Sequence, residues 1–234
     1  MRRSLKSLYE SSPPYTRRLL NISYQCTINF FQHTFKFAKS VAYHAYLFAL
    51  IGKQFDGLNL GSGSAKIKNF CNIDANPCAL CDIVAGIEKV KLGKNSVGII
   101  YNSHVFEHVP REEARKVLAE WYRVIKPGGK LYICVPDLEI LFKMYLDNVS
   151  LYHTEKGKHV ADLACGVTYG GQINKYDFHF YGYSFVTLKD MLESVGFKNV
   201  LRFDRSKSEI IPFIDASMAA IDGISISLNV QASK

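Results

Sequence analysis

The chain has 234 residues, 48% of them hydrophobic and 21% charged, and a net charge of +8. That length and balance suit one main α/β-sized domain with its own core, and six scattered cysteines exclude a small disulfide scaffold. Eight of the basic residues and only one acid fall within residues 1–53, so the remainder is nearly neutral and a nucleic-acid-binding surface over the whole protein is disfavoured.

Residues 1–54 read as a basic amphipathic segment. Pro13-Pro14 interrupts it early, and from about Ile28 to Leu50 the residues Phe31, Phe35, Ala38, Ala42, Ala45 and Ala49 recur at helical spacing. Such a helix can pack on the neighbouring domain, cover its pocket, or lie on an anionic membrane surface with its rings buried. An organelle-targeting peptide is a further reading. Lys36 and Lys39 argue against a secretory signal, and the expected location is cytoplasmic, with peripheral membrane contact through residues 1–50.

From Phe55 onward, short apolar runs alternate with helical stretches. Gly57–Leu60 enters the turn Gly61-Ser62-Gly63-Ser64, and Phe70–Asp74 is a second strand ending in an acid. Ser96–Asn102 reads as a buried strand, Arg111–Ile125 as an amphipathic helix, Lys126-Pro127-Gly128-Gly129 as its stop, and Lys130–Val135 as the next strand. Strands alternating with helices predict a doubly wound, mainly parallel sheet. Residues 147–185 are rich in Gly, Tyr and His with weak periodicity, and read as a long irregular insert or lid over an acceptor site. A helix over Thr187–Val195 and strands near Asn199–Phe203 and Ile224–Val230 complete the pattern.

The Gly61-x-Gly63 turn lets backbone approach a ligand, and Asp74, thirteen residues after Gly61, can accept both hydroxyls of a ribose. The third glycine of a dinucleotide fingerprint is replaced by Lys66, and no GxxxxGK(S/T) loop occurs. A nucleoside cofactor without a phosphate fits better, and S-adenosylmethionine has that chemistry. A nicotinamide oxidoreductase is disfavoured by the same missing glycine. Cys71, Cys78 and Cys81 contain a CxxC without a recognisable fourth ligand, so they read as ordinary reduced thiols and no metal is expected.

LNLGSGS at 58–64, NIDAN at 72–76, YNSHVFEHVPREEARKVLAEWYRVIKPGGKLYICVPDLEIL at 101–141 and MLESVGFKNV at 191–200 together resemble a class I S-adenosylmethionine-dependent methyltransferase. The likeness is greatest to the methyltransferases found with bacterial surface-polysaccharide genes, which YGGQ at 169–172, DFH at 177–179 and the ISLNVQASK ending also resemble. The resemblance covers most of residues 55–234 and not residues 1–50.

It implies a Rossmann-like seven-stranded sheet with a reversed last strand, preceded here by the N-terminal helical extension. It also implies cofactor contacts from Asn59, Gly61, Ser62, Gly63, Asp74, Ile87, Asn102 and Ser103, and acceptor contacts from His104, Tyr169 and Gln172. Glu107, His108 and His179 are the implied catalytic candidates, a histidine removing the acceptor's proton. Glu107-His108 also reads as a pair that fixes its loop, and His179 as a hydrogen-bonded loop residue. The acceptor implied is a small molecule or glycan intermediate methylated on oxygen. The sequence YNSH stands where nucleic-acid amino-methylases carry (D/N)PP(F/Y/W), which disfavours base methylation. Two departures weaken the pattern: Asn59 replaces an acid that helps hold the methionine amine, and Gly86 replaces one near the adenine amine, where Asp82, Glu88 or the backbone around Ile87 could serve. These departures motivate the rival reading of a non-catalytic binding module.

Overall fold

Leu58, Leu60, Ile100 and Ile133 are at most 1% exposed, because the strands that carry them are covered on both faces. In this computed structural model the description covers residues 55–234 apart from 64, 77–80, 89, 91, 175 and 209–214. The expectations for residues 1–54 and for Cys78 lie outside it. The chain divides after Lys53, and the sheet with its helices belongs to the unit beginning at Gln54.

Seven strands form one sheet. β1 (Gly57–Leu60), β2 (Phe70–Asp74), β3 (Ile83–Val84), β4 (Val97–Ser103) and β5 (Ile125–Pro136) run parallel, in the order β3-β2-β1-β4-β5. β6 (Lys198–Arg202) lies at the far edge. A two-residue hairpin, β7 (Ala220–Ile221) and β8 (Ile224–Ser225), then leads into β9 (Ser227–Ser233), which inserts antiparallel between β5 and β6. This is the α/β sheet with one reversed strand that the resemblance implies. The strand order reverses at β1, whose neighbours β2 and β4 lie on either side, and a ligand crevice opens at the carboxyl ends of strands at such a point.

Helix α1 (Arg111–Val124) buries Ala114, Val117, Leu118 and Trp121, four residues of the apolar face expected from its spacing, together with Val124, while Tyr122 of that face is only half-buried. Glu112 and Glu113 in its first turn and Arg123 in its last suit the helix dipole. Pro127-Gly128-Gly129 does not separate α1 from the next strand, as the sequence suggested. β5 begins at Ile125 and carries these residues through an irregular register opposite Val97–Ile99.

About half of residues 147–185 lie in helices, which corrects the expectation of one long irregular insert. α2 (Leu138–Val149) is capped by Asp137, whose side chain accepts from the Glu139 amide, and α3 (Glu155–Tyr169) is capped by Thr154. Leu141 and Met144 of α2 pack on Val160 and Ala164 of α3 and on Ile221 and Ile226 from the hairpin. Weak amphipathicity hid α3, since only four of its fifteen residues are buried, one of them Gly157, and Gly166 dilutes its exposed face. Residues 150–154 and 170–184 remain irregular before α4 (Phe185–Ser194), which a Ser184–Thr187 capping box opens. Among the described residues no helix is long and apolar enough to cross a membrane.

Candidate active site

A cleft of about 770 Å³ opens at the carboxyl ends of β1, β2 and β4. Its walls include Asn59, Gly61, Ser62, Gly63, Asp74, Ile87, Ser103 and His104, eight residues that the sequence assigned to cofactor or acceptor.

Gly61 and Gly63 both have left-handed backbone, φ +75° and +51°. A Cβ on Gly61 would collide with the Val105 side chain, so the turn can approach the β4 loop only as glycine. The amides of Gly61 and Ser62 both donate to Ile73 O, at 2.8 and 3.0 Å, which binds the turn to β2. Asp74 faces the cleft. Its Oδ2 accepts from the Gly63 amide at 2.7 Å and its Oδ1 from the Asn76 amide at 2.7 Å, which sets the carboxylate beside the turn. Ser62 Oγ is buried with no hydrogen-bond partner among the described residues, a polar atom that a ligand's hydroxyl or amine would satisfy. The glycine turn, oriented carboxylate and orphaned hydroxyl fit the ribose and amino-acid parts of S-adenosylmethionine.

The two departures from the family pattern have different outcomes. Asn59 is 3% exposed, and its amide donates to Ala65 O at 2.7 Å and Asn72 Oδ1 at 3.0 Å, so this nitrogen holds the turn in shape. Gly86 leaves space that the carboxylate of Glu88 fills; a Cβ at position 86 would overlap it, and both residues line the cleft. An acid therefore stands at the mouth of β3 although position 86 lacks one. Asp82 is engaged elsewhere, accepting from Lys66 Nζ at 2.8 Å, from the Asn72 amide at 2.9 Å and from Asn72 Nδ2 at 2.7 Å. The Ile87 carbonyl is fixed by the buried Trp121 indole, at 3.0 Å.

Beyond β4 the backbone bends sharply. His104 is left-handed at φ +51°, a conformation that non-glycine residues adopt sparingly. Its amide donates to Cys134 O at 2.8 Å, and its Nε2 lies 2.7 Å from Ser227 Oγ. A 3-10 turn over Phe106–His108 follows. Phe106 is fully buried between Tyr183 and Trp121, with ring centroids 5.1 and 5.6 Å away. The Glu107 carbonyl accepts from the amides of Phe180 and Tyr181, and the Tyr169 carbonyl accepts from that of His179.

Those bonds bring Glu107, His108 and His179 together, their donor atoms all within 4.8 Å of one another. The Glu107 side chain is 1% exposed, and neither carboxylate oxygen has a hydrogen-bond partner. Its Oε1 is 3.6 Å from His104 Nδ1 and 3.8 Å from His179 Nε2. Burial pushes the Glu107 carboxyl up to about 8 and His104 down to about 4; burial, then the neighbouring His108, also lowers His179.

The cleft wall includes His104 and His108 but not Glu107 or His179. Residues 176–180 place Phe178 and Phe180 on the wall, while His179 between them meets Glu107. Three further sequence assignments stand apart from the wall. Asn102 is fully buried and donates from Nδ2 to Leu60 O at 2.8 Å, tying β4 to β1. Tyr169 is 59% exposed at the end of α3, and Gln172 is exposed in the following turn. The structure adds wall residues to which the sequence assigned no site role. Tyr101 donates to Asp215 Oδ2 at 2.5 Å, and Asp215 and Ala216 reach the cleft from the segment before β7. Tyr101 read as strand core, and no local spacing could reveal a partner more than a hundred residues away.

Residues 40–133 match the family described as methyltransferase domain. No curated protein matches the chain. Among solved structures, the chain is similar to a SAM-dependent methyltransferase of Archaeoglobus fulgidus, at 15% identity over 85% of this chain and 94% of that one, with a TM-score of 0.47. It is also similar to an S-adenosylmethionine-dependent methyltransferase of Mesorhizobium loti, at 14% identity over 81% and 96%, with a TM-score of 0.42. Neither likeness bears on the acceptor. The strand order with its reversed β9, the turn and carboxylate of the cleft, and the family match lead to one conclusion: this chain carries a class I methyltransferase domain that uses S-adenosylmethionine as its methyl donor.

Proposed function

We propose that the protein methylates an oxygen of a sugar or glycan intermediate, and that the acceptor's proton is handled at the Glu107–His108–His179 cluster. The observation that carries this reading is His108, which belongs both to the cleft wall and to the cluster. The backbone of Gly61–Gly63 and the Asp74 carboxylate would hold the adenosyl part of the donor, with Glu88 near its base. Bound S-adenosylmethionine supplies a methyl group on positively charged sulfur, which a positioned oxygen can take without covalent help from the protein. The chain's own work is then to align that oxygen and lower the cost of its deprotonation. Tyr176, Phe178 and Phe180 line the same cleft and offer flat apolar faces that suit a sugar ring. The YNSH sequence at the end of β4 supports oxygen over a nucleobase amine. Residues 147–184 would form the acceptor side of the domain.

Methyl-tritiated donor incubated with the protein and a native extract, then fractionated, tests the acceptor. Label in the glycan or lipid-linked sugar fraction is expected; label confined to protein or nucleic acid contradicts the reading. Single-turnover transfer should fall by at least about 100-fold in His108→Ala, the usual scale of proton-transfer catalysis, with S-adenosylhomocysteine binding retained.

A further inference from the structure

The carboxylate of Glu107 has no conventional reason to be where it is. A buried carboxyl without hydrogen bonds is destabilising, and native proteins seldom leave one unpaired. Among the described residues both oxygens lack hydrogen-bond partners; His104 Nδ1 and His179 Nε2 stand 3.6 and 3.8 Å from Oε1, too far for hydrogen bonds. The Glu107–His179 spacing has another meaning. Ligands bound about 2.0–2.2 Å from one cation lie about 3–4 Å from each other.

The surrounding bonds arrange the imidazoles in the same sense. His108 Nδ1 lies 2.9 Å from Phe178 O, so Nδ1 carries the proton and the lone pair of the ring is on Nε2. His179 Nε2 faces Glu107 at 3.8 Å. Imidazoles that bind metals are held as His108 is, with one nitrogen on a backbone carbonyl and the other free to bind. The two rings meet edge to face at 4.8 Å between centroids, so both can border one point.

We propose that Glu107, His108 and His179 form a binding site for a first-row divalent transition cation such as zinc, cobalt or manganese. Two imidazoles and one carboxylate suit such ions better than magnesium or calcium, which favour all-oxygen sets. The widest donor separation, 4.8 Å, closes by about 1 Å on binding. Three protein ligands leave a coordination position open, as in metal sites that act on a substrate. The sequence named no metal here because the ligands arise from two segments seventy residues apart and share no ligand-spacing pattern. The existence of the site is independent of the reaction; its use rests on the oxygen-methylation reading above. In that use the acceptor hydroxyl occupies the open position, its O–H bond breaks, and the proton passes to water while the oxygen stays on the cation.

The test uses the full chain stripped with chelator and titrated with cobalt(II) alone. One equivalent should bind, with visible absorption bands of an imidazole-coordinated ion, and Glu107→Gln and His179→Ala should each weaken uptake at least about tenfold. Where a variant does not fold, modification of the wild-type histidines by diethyl pyrocarbonate serves instead: bound cobalt should protect His108 and His179, read by mass spectrometry. No uptake of cobalt, zinc or manganese by the wild type would overturn the site. So would uptake that survives both substitutions, or that leaves both histidines reactive. Calorimetry with S-adenosylhomocysteine on the stripped protein reports on the methyltransferase reading separately, so the two ideas can fail independently.

Discussion

At the scale of single residues, the two glycines of the turn make unequal demands. Gly61 needs both left-handed backbone and the absence of a Cβ, whereas a Cβ on Gly63 would meet nothing within 4 Å. Gly63→Ala should therefore cost about 1–2 kcal/mol, the conformational term alone. Gly61→Ala should cost more, because Val105 must also move. Urea denaturation of the two variants measures the difference, and equal losses would contradict the packing argument. Asp82 is a structural carboxylate despite its place near the cleft. Burial pushes its pKa upward, but bonds from Lys66 and from the Asn72 backbone and side chain outweigh this and hold it below the ordinary aspartate range. The stability it contributes is thus present above that range and lost as pH falls through its folded value. Asp82→Asn should flatten the acid limb of the stability–pH profile below about pH 4, by less than about 1 kcal/mol because the group is largely screened by solvent. An unchanged acid limb would show that the bonds carry no net stability.

At the scale of elements, the loop after β4 does most to organise the site, and Phe106 is its anchor. Its ring joins α1, through Trp121, to the 177–183 segment, through Tyr183. Phe106→Ala should lower stability by about 3–5 kcal/mol, as buried aromatic truncations do, and melting followed by circular dichroism would register it. A loss under about 1 kcal/mol would mean that the segments are held by their backbone bonds alone. The same elements show what could be read in the sequence. β1, β2, β4 and α1 were legible because buried parallel strands are continuous apolar runs and α1 has a clean apolar stripe. The Gly61–Asp74 half of the cleft was legible for a related reason, since turn and acid lie within fourteen residues and a strand end fixes both. Helix α3 was missed because its burial is slight and glycines dilute its pattern. Asp215 was out of reach, since it depends on tertiary pairing of distant segments, whereas the grouping of Glu107, His108 and His179 came from the resemblance and not from their spacing. Tyr169 and Gln172 were assigned to the acceptor from the resemblance, and the chain turns them outward at the end of α3.

At the scale of the whole molecule, the sheet sets the site and the long-range closures finish it. Reversal of strand order at β1 opens the crevice, and β9 returns antiparallel so that Ser227 can meet His104 and the segment before β7 can bring Asp215 to Tyr101. In the proposed function, donor and acceptor would occupy different parts of one cleft: the donor at the glycine turn and Asp74 of β1 and β2, the acceptor at the histidines beyond β4. The donor half is the claim on which the rest depends. Titration calorimetry with S-adenosylhomocysteine, on the wild type and on Asp74→Ala, tests it most directly. The account predicts one site per chain in the wild type and an affinity at least about tenfold weaker in the variant, the effect of losing hydrogen bonds to a charged group. Absence of binding in the wild type, or equal affinity in the two proteins, would contradict it.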